Sequence, residues 1–281
     1  MAANYIVPLI YILLPGHDCR VRPAYASLGQ CLIGGSGRLI VSSRVYHDGV
    51  SHLDEQYRVE FRDGQLVGGA PETLHWPGQQ KDLGSEPGYW EIGFQAEDEA
   101  PIVANTIAGA NYASYRASGK RLILADPPLK YASPPTIDQI AAYGQFVDGC
   151  VVTRIDRKRN FGESIALLNP YNKPILASVF GHDEQKLRRI RVPAQSGRFA
   201  RLAGLLRESE DRWVGQVQLT ATNRLCTYNV KHAFDNPADI THCEHLDSFR
   251  ADPTHMPAFQ MLRQQVGWFL ARRGVPLHKL R

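Results

Sequence analysis

The sequence predicts a mainly β protein built as two tandem antiparallel β-sandwiches, with a short linking helix and a C-terminal amphipathic helix. Three observations carry that expectation. Short segments that alternate apolar and polar residues recur along the chain, Asp-Gly, Gly and Pro punctuate them, and one pattern of bend, tryptophan and return strand occurs in both halves. With 281 residues the chain is long enough for two modest domains. The boundaries expected are an N-terminal sandwich over 1–132, a linking helix over 133–149, a second sandwich over 150–236, and a loop with the C-terminal helix over 237–281.

The first element is YIVPLIYILL (5–14). A membrane-spanning helix needs roughly 20 apolar residues, so this run is too short to span and reads as a buried strand. A shallow membrane contact or an unusual secretion signal is the alternative. RLIVSSRVYHDG (38–49) and EQYRVEFRDGQLV (55–67) alternate and contain Asp-Gly, which tolerates left-handed turns. YWEIGFQAE (89–97), ESIALLNP (163–170), KPILASVFG (173–181) and RWVGQVQLT (212–220) alternate in the same way, and a further strand is expected at 225–231. Between the halves, SPPTIDQIAAYGQFVDG (133–149) has helical spacing after Thr136, with Gln139 completing a capping box. PAFQMLRQQVGWFLARRG (257–274) carries Phe259, Leu262, Val266, Phe269 and Leu270 on one helical stripe, with Pro257 at its start and Gly274 at its end.

The repeat links LHWPGQQKDL (74–83), Trp90 and the strand leading to Tyr115 with IRVPAQSGRFARL (190–202), Trp213 and NRLCTYNVKHAF (223–234). Each tryptophan is expected to fill the space between two sheets. Within the second half, ALLNPYNKPILASVF and RIRVPAQSGRFARL resemble bacterial tandem immunoglobulin-like β-sandwich modules, in which an Asn-Pro turn links two strands and a Pro-Ala-x-Ser bend precedes a return strand. The resemblance covers mainly residues 163–234, is architectural, and implies an immunoglobulin-like sandwich without a catalytic motif.

Composition bounds the chemistry. The formal charge of +4 is small for this length, so wholesale nucleic-acid affinity is not expected. Cys19, Cys31, Cys150, Cys226 and Cys243 are scattered with no CxxC, which argues against a disulfide framework and for a reducing, cytoplasmic setting, with secretion left open. GGSG (34–37) precedes a strand rather than a helix and reads as a hairpin turn, not a phosphate cradle. GxSxG, HExxH and a dinucleotide fingerprint are absent from the sequence, no cofactor is expected, and catalytic residues cannot be named, because triads assemble in space.

The densest run of chemistry is DITHCEHLDSFR (239–250), bracketed by Pro237 and Pro253. His232, His242, Glu244 and His245 are the candidate metal or proton-transfer set, against a plainer reading as a polar loop in which Cys243 is a small buried residue. A second set is basic: Arg154, Arg157, Lys158, Arg159, Arg188, Arg189, Arg191, Arg272 and Arg273 are candidates for an anionic ligand, an acidic lipid surface or a partner. The leading expectation is a non-catalytic binding or assembly protein that contacts a protein partner or its own copies. The alternatives are a metal protein or enzyme at the His/Glu cluster, and a module for an anionic ligand.

Overall fold

The computed structural model describes residues 5–23, 25–69, 71–79, 84–97, 102, 112–127, 146–172, 174–181, 186–221, 225–246, 249–250, 266 and 269. The first half contributes β1 (Tyr5–Leu13), β2 (Asp18–Val21), a short helix α1 (Tyr25–Gly29), β3 (Gly37–His47), β4 (Val50–Arg62), β5 (Gln65–Gly68), β6 (Leu74–Trp76), β7 (Gly88–Ala96), β8 (Ala113–Arg116) and β9 (Ile123–Ala125). The second contributes β10 (Phe146–Asp156), β11 (Gly162–Asn169), β12 (Ile175–Gly181), β13 (Lys186–Val192), β14 (Ser196–Arg201), β15 (Arg212–Ala221), β16 (Cys226–His232), β17 (Ile240–Leu246) and β18 (Phe249–Arg250).

These strands form four antiparallel sheets. Sheet I runs β1-β7-β3-β4-β5 and sheet II β6-β2-β8-β9, while sheet III runs β13-β12-β15-β10-β18 and sheet IV β14-β11-β16-β17. The two pairs share one plan. Replacing β1, β2, β3, β4, β6, β7, β8 and β9 by β10 through β17 in order turns sheet I into sheet III and sheet II into sheet IV, with β5 and β18 as additions at the edges. The tryptophan and the return strand of the sequence pattern fall on β7 and β8 and again on β15 and β16, whereas the bend follows β6 in the first half and precedes β14 in the second, so the text repeat matches the repeated topology at the tryptophan and not at the bend.

Local chemistry explains the hairpins. Asp48 and Gly49 close β3 onto β4 with φ of 50° and 79°, and Asp63 and Gly64 close β4 onto β5 with 51° and 76°. At the end of β11, Asn169 Nδ2 donates to the carbonyls of Val192 (3.3 Å) and Pro193 (2.8 Å), tying the Asn-Pro turn to the bend before β14.

Buried apolar residues form one cluster through both halves. Strand β1 is the expected buried strand. It lies at the edge of sheet I, yet Leu9, Ile10, Tyr11, Ile12 and Leu13 on both its faces are buried. No helix among the described residues is long and apolar enough to cross a membrane. Trp90 is buried and its indole N–H donates to Ser43 Oγ at 2.8 Å. Trp213 is only half-buried against the cluster, so the second tryptophan fills less of the inter-sheet space than its counterpart.

Several details differ from the sequence expectation. Residues 240–246 are a strand, not a loop; a bulge opposite Lys231 and His232 breaks the alternation, which hides the strand from a period-two reading. Ile33–Gly35 form a 3-10 turn whose Gly35 carbonyl accepts from Gly64 N at 2.8 Å, so GGSG docks on the β4–β5 turn rather than making a hairpin. Of the helix expected over 133–149, residues 146–149 open β10 and the rest lie outside the described residues. The C-terminal helix also lies outside them except for Val266 and Phe269, both helical and about half exposed (46% each).

Candidate binding groove and junction cleft

Of the candidate residues of the His/Glu cluster only His242 and Glu244 stay together on folding. His242 faces solvent, with Nε2 3.5 Å from Glu244 Oε2. His245 Nδ1 pairs with Asp126 Oδ1 at 2.9 Å, joining β17 to the chain just after β9. His232 turns to a serine instead, Nε2 lying 2.8 Å from Ser164 Oγ. Cys243 is buried, and burial pushes its thiol pKa up, which suits a small apolar packing residue. Among the described residues no group of three or more His, Cys, Asp or Glu side chains converges as a metal site requires.

Several members of the basic set are neutralised by neighbours. Arg154 donates to Asp156 Oδ2 at 2.9 Å, Arg159 approaches the same carboxylate, and Lys158 pairs with Asp211 at 2.6 Å. These guanidinium and amide donors hold the Asp156 carboxyl below the usual range. Arg157 lies over the Phe234 ring, 5.6 Å from its centroid. Arg188, Arg189 and Arg191 are exposed on the edge strand β13, and Arg272 and Arg273 lie outside the described residues.

An unforeseen site lies on the outer face of sheet II. The register sets Asp18 opposite Arg116, Arg20 opposite Ser114 and His75, and Ser114 opposite Leu124, so these side chains share one face. Their neighbours Cys19, Val21, Ala113, Tyr115, Ile123 and Ala125 point the other way and are buried. The outer face is a groove of about 550 Å³, extended by Arg22, Tyr112 and Leu122. Tyr112, Leu122 and Leu124 are 52%, 51% and 54% exposed, a cost that a solvated face has no reason to carry. Arg22 reaches Glu72 only at 3.8 Å in full solvent, and among the described residues Arg20 and Arg116 have no carboxylate partner.

The equivalent face of sheet IV is different. Ser164, Ala166 and Leu168 of β11 and Cys226, Tyr228 and Val230 of β16 share it and are buried against the first half of the chain. Tyr228 O–H donates to the Ile10 carbonyl at 2.8 Å, and Phe199 N donates to Glu86 Oε2 at 2.7 Å. Arg198 pairs with Asp48 at 2.6 Å, and Gly49 N donates to the Gln195 carbonyl at 3.0 Å.

Where the halves meet, a cleft of about 270 Å³ opens between Pro15, Gly84 and Ser85 on one side and β11, β14 and β16 on the other. His232 stands at its wall with Nδ1 2.8 Å from the Ala233 carbonyl oxygen. Burial, with the Arg201 charge adding to it, lowers the His232 pKa and keeps the ring neutral. Gly162 makes room for the ring, since a Cβ there would lie 2.7 Å from His232 Cε1.

No family model matches the chain, and no curated protein matches its sequence. Among solved structures it is similar to a biofilm-associated protein's BSP domain at 6% identity and a TM-score of 0.24, over 88% of this chain and 59% of that one. A β-glucuronidase of Bifidobacterium dentium complexed with coumarin-3-O-glucuronide shares 7% identity at a TM-score of 0.15, over 89% of this chain and 40% of that one. The chain thus spans less than two thirds of each, and likenesses at these scores carry no functional argument.

Proposed function

We propose that this chain is a binding protein that holds an acidic protein partner on the open face of sheet II. The observation that supports the reading is that one sheet face occurs twice in one topology. On sheet IV it is mostly apolar and largely covered by the other half of the chain, with Ser164, His232 and Arg201 at the cleft on its margin. On sheet II it is open and carries Arg20, Arg22 and Arg116 beside Tyr112, Leu122 and Leu124. Arginine and tyrosine with an apolar strip are what protein interfaces concentrate, whereas a merely solvated strand face needs neither exposed leucines nor guanidiniums that, like those of Arg20 and Arg116, have no carboxylate partner among the described residues.

Strand geometry suggests how a ligand would lie. Arg20 lies on β2 and Arg22 just past its end, two residues on, a step of about 7 Å in extended chain that matches the spacing of alternate side chains on an extended peptide. Leu124 on β9 and Leu122 just before it lie on the far side of β8 in the same groove. A single aromatic residue and the Asp18 carboxylate in the same groove suit nucleic acid poorly.

The test is a titration of a fluorescein-labelled peptide alternating Asp and Leu, followed by anisotropy. The wild-type protein should bind with salt-sensitive affinity, and a triple Arg20→Gln, Arg22→Gln, Arg116→Gln variant should lose about tenfold or more. Equal binding by the variant, or tighter wild-type binding to a labelled oligothymidylate, would count against the reading.

A further inference from the structure

The junction cleft holds an arrangement that binding on sheet II leaves unused. A carbonyl oxygen only accepts, so the 2.8 Å contact to Ala233 places the hydrogen of His232 on Nδ1. Nε2 then presents its lone pair, and the 2.8 Å contact from Ser164 is a hydroxyl donating to it. A serine, a neutral imidazole that accepts its proton, and a third group that fixes the imidazole are the three parts of a nucleophile–base relay. Both side chains line the cleft. Arg201 stands opposite Ser164 in the β11–β14 register, lines the same cleft, and has no carboxylate partner among the described residues. Phe199, Val230, Pro237 and Ile240 supply apolar walls.

We propose that Ser164 is a nucleophile activated by His232, and that the cleft cleaves small carboxylic esters with an apolar acyl group. Ser164 Oγ bonds to the ester carbonyl carbon while its proton passes to His232 Nε2, and the carbonyl electron pair moves onto oxygen, where Arg201 is the available cation. Collapse breaks the bond to the leaving alkoxide, which takes the proton from Nε2. Water then attacks the acyl-serine by the same route, releasing the acid and regenerating Ser164. The cleft volume of about 270 Å³ limits the substrate to a small one.

The experiment uses the full chain with a fluorophosphonate probe, read by peptide mass spectrometry, and with p-nitrophenyl butyrate. The expected result is a phosphonyl adduct on Ser164, absent in Ser164→Ala, with the labelling rate reduced about 100-fold or more in His232→Gln. Because His232→Gln risks misfolding, the wild-type pH profile provides a second readout. Its labelling rate should rise through one titration below the ordinary histidine value and stay flat at neutral pH. No adduct on Ser164 under conditions that fully label a serine hydrolase control would overturn the proposal. So would an adduct whose rate ignores both His232 and pH.

Discussion

Substituting Gly197 by alanine tests how tightly the two halves meet. Gly197 lies in β14 opposite Leu168, and a Cβ built on it collides with the Pro87 carbonyl oxygen and comes within 3.0 Å of Pro87 Cγ and Leu168 Cδ2. The Leu168 side chain can turn aside. The carbonyl is backbone, so relief requires the segment leading into β7 to move away from sheet IV. Overpacking of this kind costs about 1–3 kcal/mol, and the stiffer unfolded chain returns about 0.4–1 kcal/mol. The two ranges leave a net loss of up to about 2.6 kcal/mol. Because the colliding atom is backbone and cannot turn aside, the loss belongs in the upper part, about 1–2.6 kcal/mol, which lowers the melting temperature by roughly 2–10 °C for a chain of this size. Gly68→Ala is the matched control, because nothing lies within 4 Å of its added Cβ and its φ is ordinary. It should be neutral or slightly stabilising. Calorimetry of both variants decides the matter. If Gly197→Ala melts within about 1 °C of the wild type, the close contact between Gly197 and Pro87 is not a feature of the folded protein.

Tyr228→Phe removes the hydrogen bond to the Ile10 carbonyl while keeping the ring, and should cost about 0.5–1.5 kcal/mol in urea denaturation; an unchanged midpoint would mean that water satisfies the carbonyl equally well. Acid sensitivity should follow two buried histidines. Burial lowers the pKa of His17 and His232 in the folded chain, so below about pH 6.5 the unfolded chain binds more protons. Stability should therefore be flat above that pH and decline as it falls, and His17→Gln with His232→Gln should flatten the decline. A decline of the same slope in the double variant would assign it to other groups.

The strand framework was legible where turn chemistry and alternation coincide. β3, β4, β7, β12 and β15 fall where the sequence places strands, because their residues alternate in burial or end at Asp-Gly, and β11 falls there too although it is buried throughout. Sheet II was legible only in part, at β6 and β8 through the repeat. β2 has four residues and β6 and β9 have three each, too few for a period-two signal, and these strands with β8 carry the groove. Ser164 was hidden for the opposite reason. Every residue of β11 is buried, so its two faces cannot be told apart from hydrophobicity. The His/Glu cluster of 239–250 was conspicuous in the sequence because it is dense, yet on a strand its neighbours point to opposite sides, and density along the chain does not become proximity in space.

The contact inside the chain joins unlike surfaces, since the first half offers sheet I and its turns and the second offers sheet IV, which is the counterpart of sheet II. Such a head-to-tail joint has no twofold axis to close it, and in principle could be propagated from molecule to molecule. Sheet II carries Arg20, Arg22 and Arg116 on its outer face, and sheet III carries Arg189 and Arg191 on the edge strand β13. Like charges on both faces disfavour stacking of one copy on the next, which is the order that a joint of this kind would otherwise permit.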